Sequence, residues 1–273
     1  VGIHFDLYKF FHNHAIQIYA FGNAYREVSL DAIAAALLEK RKIKIEKTVS
    51  ELSYSELIAY CFRDSEITLA LTSHKSNLVM NLVTMIMRIS RLSMEDVTRQ
   101  GVSRWIRSLF FSEHRAQNCL IPLQEDIEAM KGKASTTAII KGKKYQGALV
   151  IKPESKVYFD VVVMDFASLY PSIIARWNLS YETVNCVHPE CKDNLVPDTT
   201  HWVCRKQVGM MGFIIGLLRD VRVKWFKQKS KDPSLTPEER NWYKVTQQAQ
   251  KVFLNACFTG DTDVLTTEGV RSL

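Results

Sequence analysis

At 273 residues the chain is long enough for one large domain or two ordinary ones, with a sizeable core. Hydrophobic residues make up 47% and charged residues 24%, which excludes global disorder, and the longest apolar runs, 157–164 and 213–218, are too short to span a bilayer. The formal charge of +7 and pI near 9.0 favour a polyanionic partner.

Six cysteines without a secretory signal read as reduced thiols, with one cluster a candidate metal site. The profile is that of a cytoplasmic protein with no membrane partner. Val1, standing where an initiating Met belongs, points to a missing start.

Taken in chain order, residues 16–21 read as a strand, and residues 30–38 as an Ala-rich helix capped by Ser29. Residues 55–71 repeat apolar positions at helical spacing, which sets Tyr60 and Asp64 four apart on one face. Residues 78–111 are strongly helical, with a break near Gly101. The stretch 131–144 is basic, contains glycine and lacks large apolar side chains, so it reads as a linker. Residues 157–165 (VYFDVVVMD) are rich in β-branched and aromatic side chains and are predicted to form a buried strand ending on Asp165. Pro171 starts or tightens the next helix. From Met211 a helical hairpin is expected. Its first arm carries Arg219, Arg222, Lys224, Lys227 and Lys229, and its second opens on the capping box Thr236-Pro237-Glu238-Glu239 and runs to about Ala256. Residues 257–273 then change to strand-like alternation.

A lone aspartate at a strand end most often caps the following helix. Asp160 lies an odd number of residues from Asp165 and faces the other side of the same strand, so it cannot share a metal with it. The whole string decides the matter: DFASLYPSII, residues 165–174, resembles motif A of family B DNA polymerases. The resemblance implies that Asp165 binds two Mg²⁺ ions, that Ser168, Leu169 and Tyr170 contact the nucleotide, and that Tyr170 stacks under the sugar and rejects a 2′-hydroxyl. Two-metal phosphoryl transfer does need oxygen ligands that bridge both ions.

KVFLNA, residues 251–256, is similar to the first half of motif B and implies that Lys251 and Asn255, four apart on one helix, meet the incoming nucleotide. Arg222 resembles the basic fingers residue that grips the triphosphate, with Arg219 and Lys224 as alternatives. Tyr145 and Gly147 in YQGA resemble the motif that joins exonuclease and polymerase modules and tracks the template, and Tyr60 with Asp64 resembles the third exonuclease motif, whose Asp binds metal. Residues 4–25 and 87–115 resemble connecting segments of archaeal members, so the similarity covers residues 1–256.

The chain departs from the family in what it lacks. The first two exonuclease motifs, the rest of motif B and the third polymerase motif do not occur in it. The DTD string at 261–263 comes too soon after Asn255, and with the wrong neighbours, to be that third motif. Instead CFTGDTDVLTTEG, residues 257–269, resembles the first splicing block of an intein, which implies that Cys257 is the splicing nucleophile.

The implied fold is α+β: a partial right-hand polymerase preceded by the C-terminal part of a ribonuclease H-like 3′–5′ exonuclease domain. The expected segments are 1–75 (exonuclease tail), 76–130 (helical connector), 131–209 (palm with motif A), 210–256 (fingers hairpin) and 257–273 (intein start). The expected partners are primer–template DNA, deoxynucleoside triphosphates and the remainder of the polymerase and intein; no sequence feature reports a sliding-clamp contact. The alternative is a non-catalytic fragment, or the N-terminal partner of a split-intein polymerase, active only after splicing.

Cys186, His188, Cys191, His201 and Cys204 crowd into one short stretch. Cys186, Cys191, His201 and Cys204 are the expected ligands of a tetrahedral zinc ion, with reduced thiols or a disulfide as the competing readings.

Overall fold

Local hydrogen-bond chemistry starts most of the helices. The Asp6 carboxylate accepts from Lys9 N at 3.0 Å and caps α1 (Leu7–His12). Ser29 Oγ accepts from Ala32 N at 3.2 Å and caps α2 (Leu30–Leu38), as the sequence predicts. Ser53 and Glu56 form a reciprocal capping box on α3 (Tyr54–Ser90), which leaves helical geometry from His74 to Asn77, where Lys75, Ser76 and Asn77 have positive φ. Ser93 caps α4 (Met94–Arg99), and Gly101 precedes α5 (Val102–Ala116).

Then follow α6 (Gln124–Lys131), the two-residue strands β1 (Ile139–Ile140) and β2 (Lys143–Lys144), and α7 (Leu169–Arg176). Next is α8 (Met210–Asp220), which continues through a π-helical turn (Val221–Phe226) into α9 (Lys227–Lys229). The predicted box opens α10 (Pro237–Ala256): Thr236 N donates to Glu239 Oε2 at 2.8 Å, and Glu239 N to Thr236 Oγ1 at 3.3 Å. A final antiparallel hairpin pairs β3 (Val264–Thr266) with β4 (Gly269–Arg271).

This computed structural model describes residues 2–131, 139–140, 143–144, 152, 154–166, 168–197, 199–256, 264–266 and 269–271. They divide into two compact units, one of residues 1–120 and 220–262, the other of residues 121–219 and 263–273. None of the described helices is long and apolar enough to cross a membrane.

In the first unit α10 packs on α3, α5 and both π-helical turns, α2 packs on α3, and α3 packs on α4 and α5. Phe11, Ile67, Ile86, Trp105 and Phe253 are fully buried there. Tyr25 is buried as well and donates its hydroxyl to Phe11 O at 2.9 Å; burial pushes that phenol well above its ordinary range. In the second unit Ile174 of α7 and Met210, Ile214 and Ile215 of α8 are buried, and Gly212 of α8 lies close against the Ile174 carbonyl. Gly209 is required ahead of α8, because a Cβ there would lie 2.4 Å from Ser180 Cβ.

Two predicted strands are corrected. Residues 16–21 are not extended: Ile16–Ala20 is a π-helical turn, started by Asn13 Oδ1, which accepts from Ala15 N at 3.0 Å and Ile16 N at 3.4 Å. Its buried positions Ile16 and Ala20 are four apart, a helical spacing that the alternation of apolar residues conceals. Residues 157–165 form neither strand nor core; they are irregular and exposed, Val163 and Met164 each at 88%. A run of this composition is held as a strand only when neighbours take its backbone groups. Among the described residues no strand does so. Among the described residues the β portion is therefore two short hairpins and two isolated bridges, and the other regular elements are helical.

Candidate functional site

The motif beginning at Asp165 lies in the second unit. Asp165 is exposed on irregular backbone, three residues ahead of Ser168, the N-cap of α7. Ser168 holds φ 57° and ψ 59°, a left-handed conformation that a residue with a Cβ adopts only when its surroundings enforce it. Its carbonyl is fixed from the helix side, accepting from Ser172 N at 3.0 Å and Ser172 Oγ at 2.9 Å. That turn carries Leu169 and Tyr170 on the exposed first turn of α7, while Pro171 and Ile174 face inward. Asp165 fits one ligand position of a magnesium site. Among the described residues no cluster of three potential metal ligands includes it.

The chain leaving α7 then folds into a knuckle. Asn178 Nδ2 donates to Cys204 O at 3.1 Å and Gln207 O at 2.9 Å, and its Oδ1 accepts from Gly209 N at 2.7 Å. Bridges Val184–Val203 and Leu195–Trp202 close the loop. Inside it the ligand atoms of Cys186, His188, Cys191 and Cys204 all lie within 4.8 Å of one another, and the three cysteines are buried and free.

The structure thus gathers three of the four residues predicted for zinc but replaces His201 with His188. His201 Nδ1 instead pairs with Asn185 Nδ2 at 3.0 Å. The signal was present in the sequence as Cys-x-His-x2-Cys, and tertiary pairing of His201 decides between the two histidines. Backbone amides serve the sulfurs: His188 N–H faces Cys186, Arg205 N–H lies 3.4 Å from Cys191 Sγ, and Lys206 and Gln207 N–H face Cys204. Burial raises the Cys186 thiol. At Cys204 burial pulls the same way but is outweighed by the Lys206 and Gln207 amides, with Cys186 and His188 adding, and the thiol comes down to about 7.

The first unit holds the basic residues expected at a triphosphate. Arg222 sits in the π-helical turn, half-buried, with Nε donating to Gln247 O of α10 at 3.2 Å; burial lowers its pKa. Lys224, an alternative, is exposed and paired with Asp220 at 2.5 Å. Lys251 is half-buried on α10, its ammonium 5.5 Å from the ring centroid of Tyr19 in the other π-helical turn. Asn255 lies one turn further along α10. Tyr145, Gly147 and Cys257 lie outside the described residues.

Tyr60 and Asp64 are neighbours on α3, and Lys42 joins them. Its Nζ lies 2.8 Å from Asp64 Oδ2 and 2.7 Å from the Tyr60 hydroxyl. Asp64 Oδ1 is buried with no hydrogen-bond partner, yet no cluster of three potential ligands forms around it among the described residues. Sequence reasoning missed Lys42 because it lies 18 residues from Tyr60, on an irregular segment with no helical register to α3.

The Asp64 carboxylate, followed by Tyr60, holds the Lys42 ammonium above its ordinary range. A raised lysine contributes stability that is fully present below the unfolded value, about 10.4, and is lost as pH rises through the folded one. Lys42→Met is therefore expected to cost up to about 1 kcal/mol near neutral pH and progressively less above about pH 10.5, read by urea unfolding across that range. An unchanged cost at both ends would remove the pair from the account.

The profile of DNA polymerase family B matches residues 92–262, more than half of the chain, and the chain belongs to that family. Archaeal polymerases are among its relatives. DNA polymerase 1 of Aeropyrum pernix is 50% identical over 258 residues, taking in 94% of this chain and 27% of its own length. DNA polymerase 1 of Sulfolobus acidocaldarius is 49% identical over 260 residues, with 94% and 30% covered. The chain thus spans less than a third of the length of these relatives. Among solved structures, the family B DNA polymerase from the hyperthermophilic archaeon Pyrobaculum calidifontis is similar, with a TM-score of 0.60 and 21% identity over 85% of this chain and 30% of that one, a likeness of fold alone.

Proposed function

We propose that the chain is a portion of a DNA-directed DNA polymerase, which adds deoxynucleotides to a primer 3′ end on a DNA template. One observation carries the reading: about half of the residues are identical, across nearly the whole chain, to proteins named DNA polymerase 1. In this reading residues 1–75 are the tail of an α+β exonuclease domain, 76–130 a connector, 131–209 part of the palm, and 210–256 the fingers hairpin. Asp165 is one ligand of magnesium, which when bound neutralises phosphate charge. Tyr170, on the open turn after Ser168, lies under the sugar. Arg222, Lys251 and Asn255 hold the triphosphate and nucleotide, and Tyr145 and Gly147 follow the template. DNA is gripped chiefly through phosphates, so binding weakens with salt.

Residues 257–273 are the start of an intein in this reading, with Cys257 attacking the Ala256 carbonyl to turn a peptide bond into a thioester. Support comes from the change of sequence pattern there, and the downstream DNA tests it: an intein body followed by Ser or Thr and Tyr-Gly is expected, and uninterrupted polymerase sequence refutes it.

Primer extension tests the main reading. The full-length protein should copy template with deoxynucleotides in Mg²⁺, whereas the purified 273-residue chain, with one motif carboxylate, should not. Tyr170→Ala in the full-length protein should relax discrimination against ribonucleotides by about 10- to 100-fold, since it removes the wall that a 2′-hydroxyl meets. No template-dependent synthesis, or unchanged sugar selectivity, would count against the respective assignments.

A further inference from the structure

We propose that Cys186, His188, Cys191 and Cys204 form a structural zinc site that fastens the loop between α7 and α8. The argument begins with geometry. A tetrahedral zinc ion with Zn–S of about 2.3 Å and Zn–N of about 2.0 Å separates its ligand atoms by roughly 3.5 to 3.8 Å. Here all four ligand atoms lie within 4.8 Å of one another, and Cys204 Sγ is 3.3 Å from His188 Nδ1. The widest separation exceeds the tetrahedral value by about 1 Å, so a modest contraction around a central ion brings all four atoms into ligand range.

Chemistry agrees with the geometry. Three thiols and an imidazole are the donor set of a closed structural site, with no position left for water or substrate. All three sulfurs are buried, none is in a disulfide, and Arg205 N donates to Cys191 Sγ at 3.4 Å. Amides aimed at sulfur stabilise thiolate, the form that binds metal. A disulfide uses two sulfurs and leaves the third sulfur and the imidazole facing each other without purpose.

The ligands come from two arms. Cys186, His188 and Cys191 lie on a tight turn ending in a 3-10 helix (Pro189–Cys191), and Cys204 lies on the returning strand-like segment, registered by Cys204 N to Thr183 O at 2.9 Å. Around this loop the hydrophobic contribution is small: Trp202 is the partly buried apolar residue packed on the three cysteines. A metal supplies what the core does not. The consequence reaches α8, because Cys204 O and Gly209 N are both held by the Asn178 side chain, and Ser180 Oγ accepts from Met211 N at 3.2 Å.

The test uses the whole chain, purified without chelator. Elemental analysis should give about one zinc per chain, and exchange with Co²⁺ should produce the visible bands of tetrahedral thiolate coordination. His188→Gln should weaken zinc binding by more than the roughly 100-fold that loss of an outer-shell partner costs, whereas His201→Gln should retain the metal and the Co²⁺ spectrum. Thiol titration of the unfolded, unreduced protein guards against a variant that fails to fold: all six cysteines should react once zinc is released. A folded metal-free chain, iron in place of zinc, two missing thiols, or loss of metal in His201→Gln with retention in His188→Gln would each overturn the proposal.

Discussion

Asp165→Ala in the full-length polymerase is expected to lower primer extension by at least about 10³-fold while leaving the unfolding midpoint unchanged. The magnitude follows from the role assigned: a metal at a transferring phosphoryl group is worth several kcal/mol, and about 4 kcal/mol is three decades in rate. The unchanged stability follows from the structure. Asp165 is exposed on irregular backbone, where substitutions usually shift stability by less than about 0.5 kcal/mol. Single-turnover extension and thermal unfolding, measured on the same preparation, separate the two effects. Copying that proceeds undiminished would refute the assignment, and a large fall in stability would show that Asp165 supports the fold.

The second large effect lies in the first unit. Phe253→Ala is expected to destabilise that unit by about 3 to 5 kcal/mol, much of the 5 to 15 kcal/mol that holds a typical domain together. Phe253 is fully buried and stacks on Trp105 at 6.4 Å between ring centroids, joining α10 to α5. Its removal leaves a cavity between helices that carry their own hydrogen bonds and cannot collapse into it. Urea unfolding followed by far-ultraviolet dichroism reads the shift, and Phe253→Leu should cost much less. A loss under about 1 kcal/mol for the alanine variant would contradict the packing described. Because Lys251 shares α10 with Phe253, the apolar anchor also fixes the helix that carries Lys251.

What could be read from sequence alone was local or carried by motifs. Ser29 ahead of an alanine run, and Thr236-Pro237-Glu238-Glu239 ahead of α10, are legible because capping is a contest among residues three apart. The family itself was legible in DFASLYPSII and KVFLNA. The misreadings have tertiary causes. Residues 157–165 carry the composition of a sheet interior, but composition cannot supply the neighbouring strands. Residues 16–20 alternate apolar and polar in sequence, yet Asn13 starts a helical turn that buries Ile16 and Ala20 together. Spacing alone favoured His201 over His188 as the fourth ligand, but Asn185 claims His201. Lys42 was invisible for a similar reason, since its pairing with Asp64 joins an irregular segment to a helix face.

The uncovered ribbon at 157–164 has a further consequence. A stretch of valines and aromatics whose amides and carbonyls meet no neighbouring strand among the described residues is expected to pair with a second copy of itself. Asp160, the only ionised side chain within it, then acts as a gatekeeper: identical carboxylates in register would repel at every rung. One acidic residue in the middle of the ribbon is thus expected to oppose self-pairing while leaving the apolar positions on either side of it open to a partner strand.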